Sequence, residues 1–246
     1  MGRGAGQEIT SVSPTRKQAR RQQQRQRVYK QLQQVFPDHA LASDLDTEQL
    51  RIADPDKREQ NQFVRAADGK RIWAHTRLYR YCPNMSNHDN LWIATSLRLD
   101  HLTGKIFAIN EVQKYIPGGL SGQGRAFSYK IEDCGTDLDR AVETAQGMYD
   151  QAWQQLKASE HGKHAKRTAV RFETLPAGSS EVLEYKDQAF TADREVIEKQ
   201  LLEGARHRQR YQTHVGQARE AAEQLQSTAE ALGYELEIDT LIPKAA

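Results

Sequence analysis

The chain has 246 residues, 37% of them hydrophobic and 28% charged, with a net charge of +2 at pH 7 and a mean hydropathy of −0.82. That length can bury one large core or two small ones, and no apolar run approaches what a bilayer span requires. Cys82 and Cys134 are too few for a disulfide framework, and without a C-x-x-C spacing a structural zinc site has no support. The opening Met1-Gly2-Arg3-Gly4 lacks the apolar core of a secretory leader, and Gly6 stands where a myristoylation pattern needs Ser or Thr, so the expected location is cytoplasmic.

The small net charge hides an asymmetry. Residues 9–37 carry seven bases (Arg16, Lys17, Arg20, Arg21, Arg25, Arg27 and Lys30) and no acid, which leaves 28 Lys and Arg against 33 Asp and Glu for the remainder. A basic arm on a mildly acidic body implies an acidic partner.

In chain order, residues 1–14 are Gly- and Ser-bearing and aperiodic, and read as disordered. An Arg- and Gln-rich helix is expected from about Gln22, with Val28, Tyr29, Leu32 and Val35 as its only apolar anchors and Pro37 as its stop. A short helix follows over 44–52. From Asn61 the period changes to two. Strands at 62–67 and 70–81 flank Asp68-Gly69, a tight-turn signal. Strands over 91–100, 105–115 and 125–132 extend the meander. A helix capped by Thr136 or Asp137 carries Leu138, Ala141, Val142, Ala145, Met148, Tyr149, Ala152, Trp153 and Leu156 as one broad apolar stripe. A second hairpin is expected over 168–175 and 182–185. A long helix opens at Thr191 or Asp193 and stops at Gly233, with a heptad-like seam through Leu201, Tyr211, Val215, Ala218, Ala222, Leu225, Ala229 and Leu232, interrupted by Gly204 and Arg208. Tyr234, Leu236 and Ile238 suggest a last strand.

These elements describe an α+β fold: an antiparallel meander sheet packed on an amphipathic helix, then a smaller β-hairpin with the long C-terminal helix. The expected divisions are a basic arm (1–36), the sheet-plus-helix domain (37–160) and a hairpin-plus-helix sub-domain (161–246).

Among residues that carry chemistry, the arm comes first, because Arg and Lys neutralise phosphates and release counterions. The strand over 71–81 comes second. Its odd positions are Arg71, Trp73, His75, Arg77, Tyr79 and Tyr81, which alternate cations with aromatics, and Trp92, Arg98, Ser128 and Lys130 are expected to extend that face. Aromatic faces stack bases while arginines hold phosphates. The competing reading places Trp73 and Trp92 under the long helix. The order of three strands and a helix over 90–156 resembles, in architecture, the small sheet-plus-helix DNA-binding domains of plant transcription factors and integrase arms. The long loop 117–124 departs from them.

The glycine-rich loop 117–124 lacks the Gly-Lys-Ser/Thr ending of a phosphate-binding loop. The clusters of Cys82 with His88 and Asp89, and of His161 with His164, have no ligand spacing. No residue is assigned to catalysis, a metal or a cofactor. The expected function is non-enzymatic nucleic-acid binding, as an accessory protein of a phage, plasmid or mobile element. DNA or RNA is contacted through Arg16, Lys17, Arg20, Arg21, Arg25, Arg27, Arg71, Trp73, Arg77, Arg98 and Lys130, with a homodimer through 193–232 and no membrane partner. The alternatives are an assembly protein working through its long helix, and an enzyme with a pocket near the loop 117–124, lined by His75, His88, His101 or Tyr115.

Overall fold

A computed structural model describes residues 16–53, 63–86, 91–116, 124–162, 166–169, 185–186, 190 and 192–235. Its centre is a five-stranded antiparallel sheet in the order β1-β8-β7-β6-β4, formed by Ala40–Leu41 (β1), Gly124–Asp133 (β8), Ile106–Ile116 (β7), Leu91–Asp100 (β6) and His75–Tyr81 (β4). A two-stranded ribbon pairs Phe63–Arg65 (β2) with Arg71–Trp73 (β3). A three-stranded sheet places Lys166–Ala169 (β9) between Tyr185–Lys186 (β10) and Asn84–Ser86 (β5). Among the described residues there are four α-helices: Arg16–Val35 (α1), Thr47–Ala53 (α2), Leu138–Ala158 (α3) and Arg194–Ala231 (α4).

One sheet face is the main core. Leu91, Ile93, Leu97 and Leu99 of β6 with Ile106, Ala108 and Val112 of β7 meet the stripe of α3 and the C-terminal anchors of α1, Val28, Leu32 and Val35. The helix α3 begins where Asp137 accepts from the Arg140 backbone N–H at 3.1 Å, the expected cap. The helix α1 starts six residues before the expected point. Arg and Gln are good helix formers, and Val28 is the first buried residue among those described.

The opposite face is also covered, over one half. The short helix α2 lays Leu50, Ile52 and Ala53 on Phe107, Ile109 and Tyr129. Arg51 is 1% exposed and ion-pairs with the buried Asp100, while Arg98 donates to the Ile52 carbonyl. Alternation in β6 therefore separates two interiors. It does not separate core from solvent.

The helix α4 starts at Asp193, which accepts from Val196 N at 3.3 Å. It ends with Gly233 at φ 77° and the Tyr234 N–H on the Ala229 carbonyl at 2.9 Å, a left-handed cap that only glycine adopts cheaply. Its buried residues are Ile197, Gly204, Tyr211 and Val215. A Cβ on Gly204 would come 2.8 Å from Leu99 Cδ2 and 3.3 Å from Thr76 Cβ, so this glycine marks the close crossing of helix and sheet. From 216 to 231 the same helix has no fully buried residue. At 1.5 Å per residue those sixteen residues extend about 24 Å.

Candidate nucleic-acid interface

The residue pattern of 71–81 does not fold as one strand. Ala74 separates β3 from β4, and the register of β4 on β6 shifts between Arg77 and Tyr79, the mark of a β-bulge. One extra residue reverses the alternation. Leu78 lies in the main core, and beyond the bulge Tyr79 and Tyr81 turn to the same side, edge-on to Phe190 at 5.7 and 5.6 Å. The expected face thus ends at Arg77, which is exposed and sits opposite Arg98 in the register.

Two other expected members lie elsewhere. Arg98 is buried beneath α2. Lys130 is on the α3 side of the sheet, paired in register with Asn110 and donating to Gln151 Oε1 at 3.0 Å. Ser128 is buried on that same side. Cover by α2 takes Arg98 off the sheet surface, while on the α3 side Ser128 is buried and Lys130 half-buried.

The ribbon β2–β3 gathers what remains and adds two residues. The chain turns through a three-residue loop, with the Gly69 N–H on the Ala66 carbonyl and the Ala66 N–H on the Lys70 carbonyl, both at 2.9 Å. Gly69 takes φ 77°. An odd loop length puts residues of equal parity opposite each other. Phe63 therefore faces Trp73, Val64 faces Ile72, and Arg65 faces Arg71. A two-residue turn at Asp68-Gly69 would have sent the β2 residues to the other face.

One side of the ribbon is apolar and docked: Val64, Ala66, Ile72 and Ala74 pack with Leu102 and with Tyr211 and Val215 of α4. The other side holds Phe63, Arg65, Arg71 and Trp73. The Phe63 and Trp73 rings meet edge-to-face at 5.6 Å. The Arg71 guanidinium lies 4.8 Å and that of Arg65 5.5 Å from the Phe63 ring centroid, at cation–π distance. Trp73 is 44% exposed, so the reading that buries it under the long helix does not hold, although α4 does support the strand from behind. Lys70 at the loop is ion-paired with Asp68 at 3.1 Å. Phe63 and Arg65 were not among the expected site residues. The loop parity is the sequence feature that would have found them.

Trp92 is half-buried on the same sheet face as Arg98, with Arg125 5.7 Å over its ring. Arg125 donates to Gln113 Oε1 at 3.1 Å, Gln113 donates to Glu111, and Arg80 lies 3.9 Å from Glu111. This patch is matched internally, with one carboxylate serving both ends of the chain.

The basic arm has a different character. The structure makes 16–35 helical; Arg20, Arg25 and Arg27 are exposed, and Arg25 lies 6.0 Å from the Tyr29 ring. The helix between Arg16 and Arg27 carries six bases and no acid.

At the junction of α4 with the sheet, His101 is fully buried, its Nε2 2.8 Å from Thr76 Oγ1 and its Nδ1 2.8 Å from the Trp73 carbonyl. Burial, with the His207 and Arg208 charges, brings its pKa down to about 4, and burial with neighbouring Arg98, His101, Arg51 and Arg77 brings His75 to about 3. Burial favours the neutral form of both, and His101 ties Thr76 to the Trp73 carbonyl beside Tyr211 of α4. His88, His164 and loop residues 117–123 lie outside the described residues, and among the described residues no cluster of three or more His, Cys, Asp or Glu can hold a metal.

No protein-family model, no curated protein and no solved structure matches this chain.

Proposed function

We propose that this protein is a non-enzymatic nucleic-acid-binding accessory protein, with α1 as its electrostatic contact and the ribbon β2–β3 as its base-proximal one. The observation that carries the reading is α1. The first twelve residues of this helix hold six bases and no acid, Arg20, Arg25 and Arg27 among them are exposed, and Val28 is the first core residue among those described. A run of like charges along a helix repels itself, and phosphates relieve that repulsion while releasing counterions.

The test is fluorescence anisotropy of the full chain with labelled oligonucleotides across a salt series, against a variant carrying Arg20→Gln, Arg25→Gln and Arg27→Gln. Binding should weaken with salt, and the logarithmic slope should shrink by roughly one per removed phosphate contact. Absence of binding at low salt to single- and double-stranded DNA and RNA overturns the reading.

One observation favours a second role, self-association. Past Val215 the heptad-like seam of α4 continues through Ala218, Ala222, Leu225, Ala229 and Leu232, with Leu225 60% and Leu232 68% exposed. Small residues on such a seam let two helices approach closely. Sedimentation velocity should show a concentration-dependent dimer that Leu225→Glu abolishes. A monomer at all concentrations removes this role and leaves the nucleic-acid reading standing.

A further inference from the structure

The ribbon face assigns the kind of nucleic acid. Resting on the nucleic-acid reading, we propose that β2–β3 takes an unpaired nucleotide, with its base stacked on Trp73 and its phosphate held by Arg65 and Arg71.

Three features carry this. The first is placement: Arg65 and Arg71 stand directly opposite each other across the two strands, on the same side as Trp73, so one phosphate can accept from both guanidiniums. The second is division of labour between the rings. Phe63 is engaged by both guanidiniums, whereas the Trp73 indole, edge-to-face with Phe63, is 44% exposed. A large exposed indole on a rigid strand is a stacking platform, because every base has a π face.

The third is posture. Arginines that read base edges in a groove extend away from the protein toward the acceptors. Here both guanidiniums lie at the Phe63 ring, low on the ribbon, and Trp73 is flat and broad. The arginine pair is two residues along the strands from the aromatic pair, about 7 Å. One nucleotide spans that gap with its base at one end and its phosphate at the other. In a duplex, stacking on Trp73 would first require a base to leave its partner.

Supporting the ribbon from behind, Ile72 and Ala74 are anchored on Tyr211 and Val215, and the His101 backbone N–H donates to the Ala74 carbonyl at 2.8 Å. The platform is therefore preorganised by contacts that a nucleotide would not touch.

The experiment uses the full chain and fluorescein-labelled twelve-residue oligonucleotides, one mixed-sequence single strand and the matching duplex, at one fixed salt concentration. Single strand should bind more tightly than duplex. Trp73→Ala should weaken single-strand binding by roughly tenfold and duplex binding by much less. Trp73→Phe should restore most of the single-strand affinity, and it should lose the tryptophan quenching seen when unlabelled single strand is added to the wild type. Equal affinity for both forms, or a folded Trp73→Ala with unaltered single-strand affinity, overturns the stacking inference and leaves the arm's role intact. No binding of either oligonucleotide by the wild type overturns the parent reading instead.

Discussion

The guanidinium of Arg208 on α4 occupies the space that a side chain on Gly104 would fill, at the turn joining β6 to β7. Gly104 has φ 77°, a conformation that costs an L side chain about 1–2 kcal/mol by itself. In the sequence Arg208 looks like an interruption of a heptad seam. In the fold it is a contact that locks the helix over a tight turn.

Gly104→Ala should therefore destabilise the protein by more than its backbone cost, because the methyl group also displaces Arg208. Urea denaturation of Gly104→Ala, Arg208→Ala and the double variant checks this. The double variant should recover the steric part and retain the conformational part, giving clear non-additivity. Additive losses would show that the two residues do not act on each other.

Gly204 offers the opposite of a normal helix rule. Replacing a mid-helix glycine usually stabilises by about 1 kcal/mol through propensity. At Gly204 the helix crosses Leu99 and Thr76 at contact distance, so Gly204→Leu should instead destabilise by about 1–3 kcal/mol. Thermal unfolding decides the sign. Gly216, beside which a Cβ would meet nothing within 4 Å, is the control, and Gly216→Ala should stabilise.

The ion pair of Arg51 and Asp100 fastens α2 to the end of β6, with both side chains almost wholly buried. Asp100 also accepts from the Thr103 N–H at 3.0 Å and the Thr103 hydroxyl at 2.5 Å. Burial alone would raise the Asp100 carboxyl, but the hydrogen bond and charge of Arg51 outweigh it and hold the carboxyl below its ordinary value. Asp100→Ala leaves the buried Arg51 with only the longer 3.7 Å contact to the exposed Glu48 and should cost about 3–5 kcal/mol. Combining Asp100→Leu with Arg51→Met should cost less than Asp100→Ala alone, measured by urea denaturation.

Stability should also fall with acid in a defined window. Folded pKa values of about 3 for His75 and about 4 for His101 lie below the unfolded value of 6.5. As the pH drops below 6.5 the unfolded chain takes up protons first, so each group removes up to about 1.4 kcal/mol per pH unit until its folded pKa is reached. His39, which burial also holds low, adds to the same slope. Denaturation midpoints between pH 4 and 8 should plateau above about pH 7 and decline below it, and His101→Gln should flatten the decline. A flat profile between pH 4 and 6.5 would refute this.

Much of the scaffold was legible because local chemistry and fold agree. Asp137 and Asp193 cap their helices, Gly233 ends α4, and the strands of β6, β7 and β8 fall within a residue of their expected limits. What escaped was long-range. The seven residues of α2 carry no sign of which sheet face they cover, yet that cover decides whether Arg98 meets water. The bulge in β4 leaves no mark in a run that alternates without a break, yet it turns Tyr79 and Tyr81 inward. The strand β5, within a stretch of irregular polar character, joins the expected second hairpin as its third strand. The expected final strand after Tyr234 and most of the second hairpin's residues lie outside the described residues.

The bulge in β4 has one more consequence. As the outermost strand of the five-stranded sheet, β4 would otherwise offer a straight row of backbone donors and acceptors to a strand from another molecule. One inserted residue throws that row out of step, and α4 packs alongside. Arg77 is thus carried on an edge strand whose ladder is out of step, and the irregularity that confuses the face pattern is what breaks the straight edge a foreign strand would need.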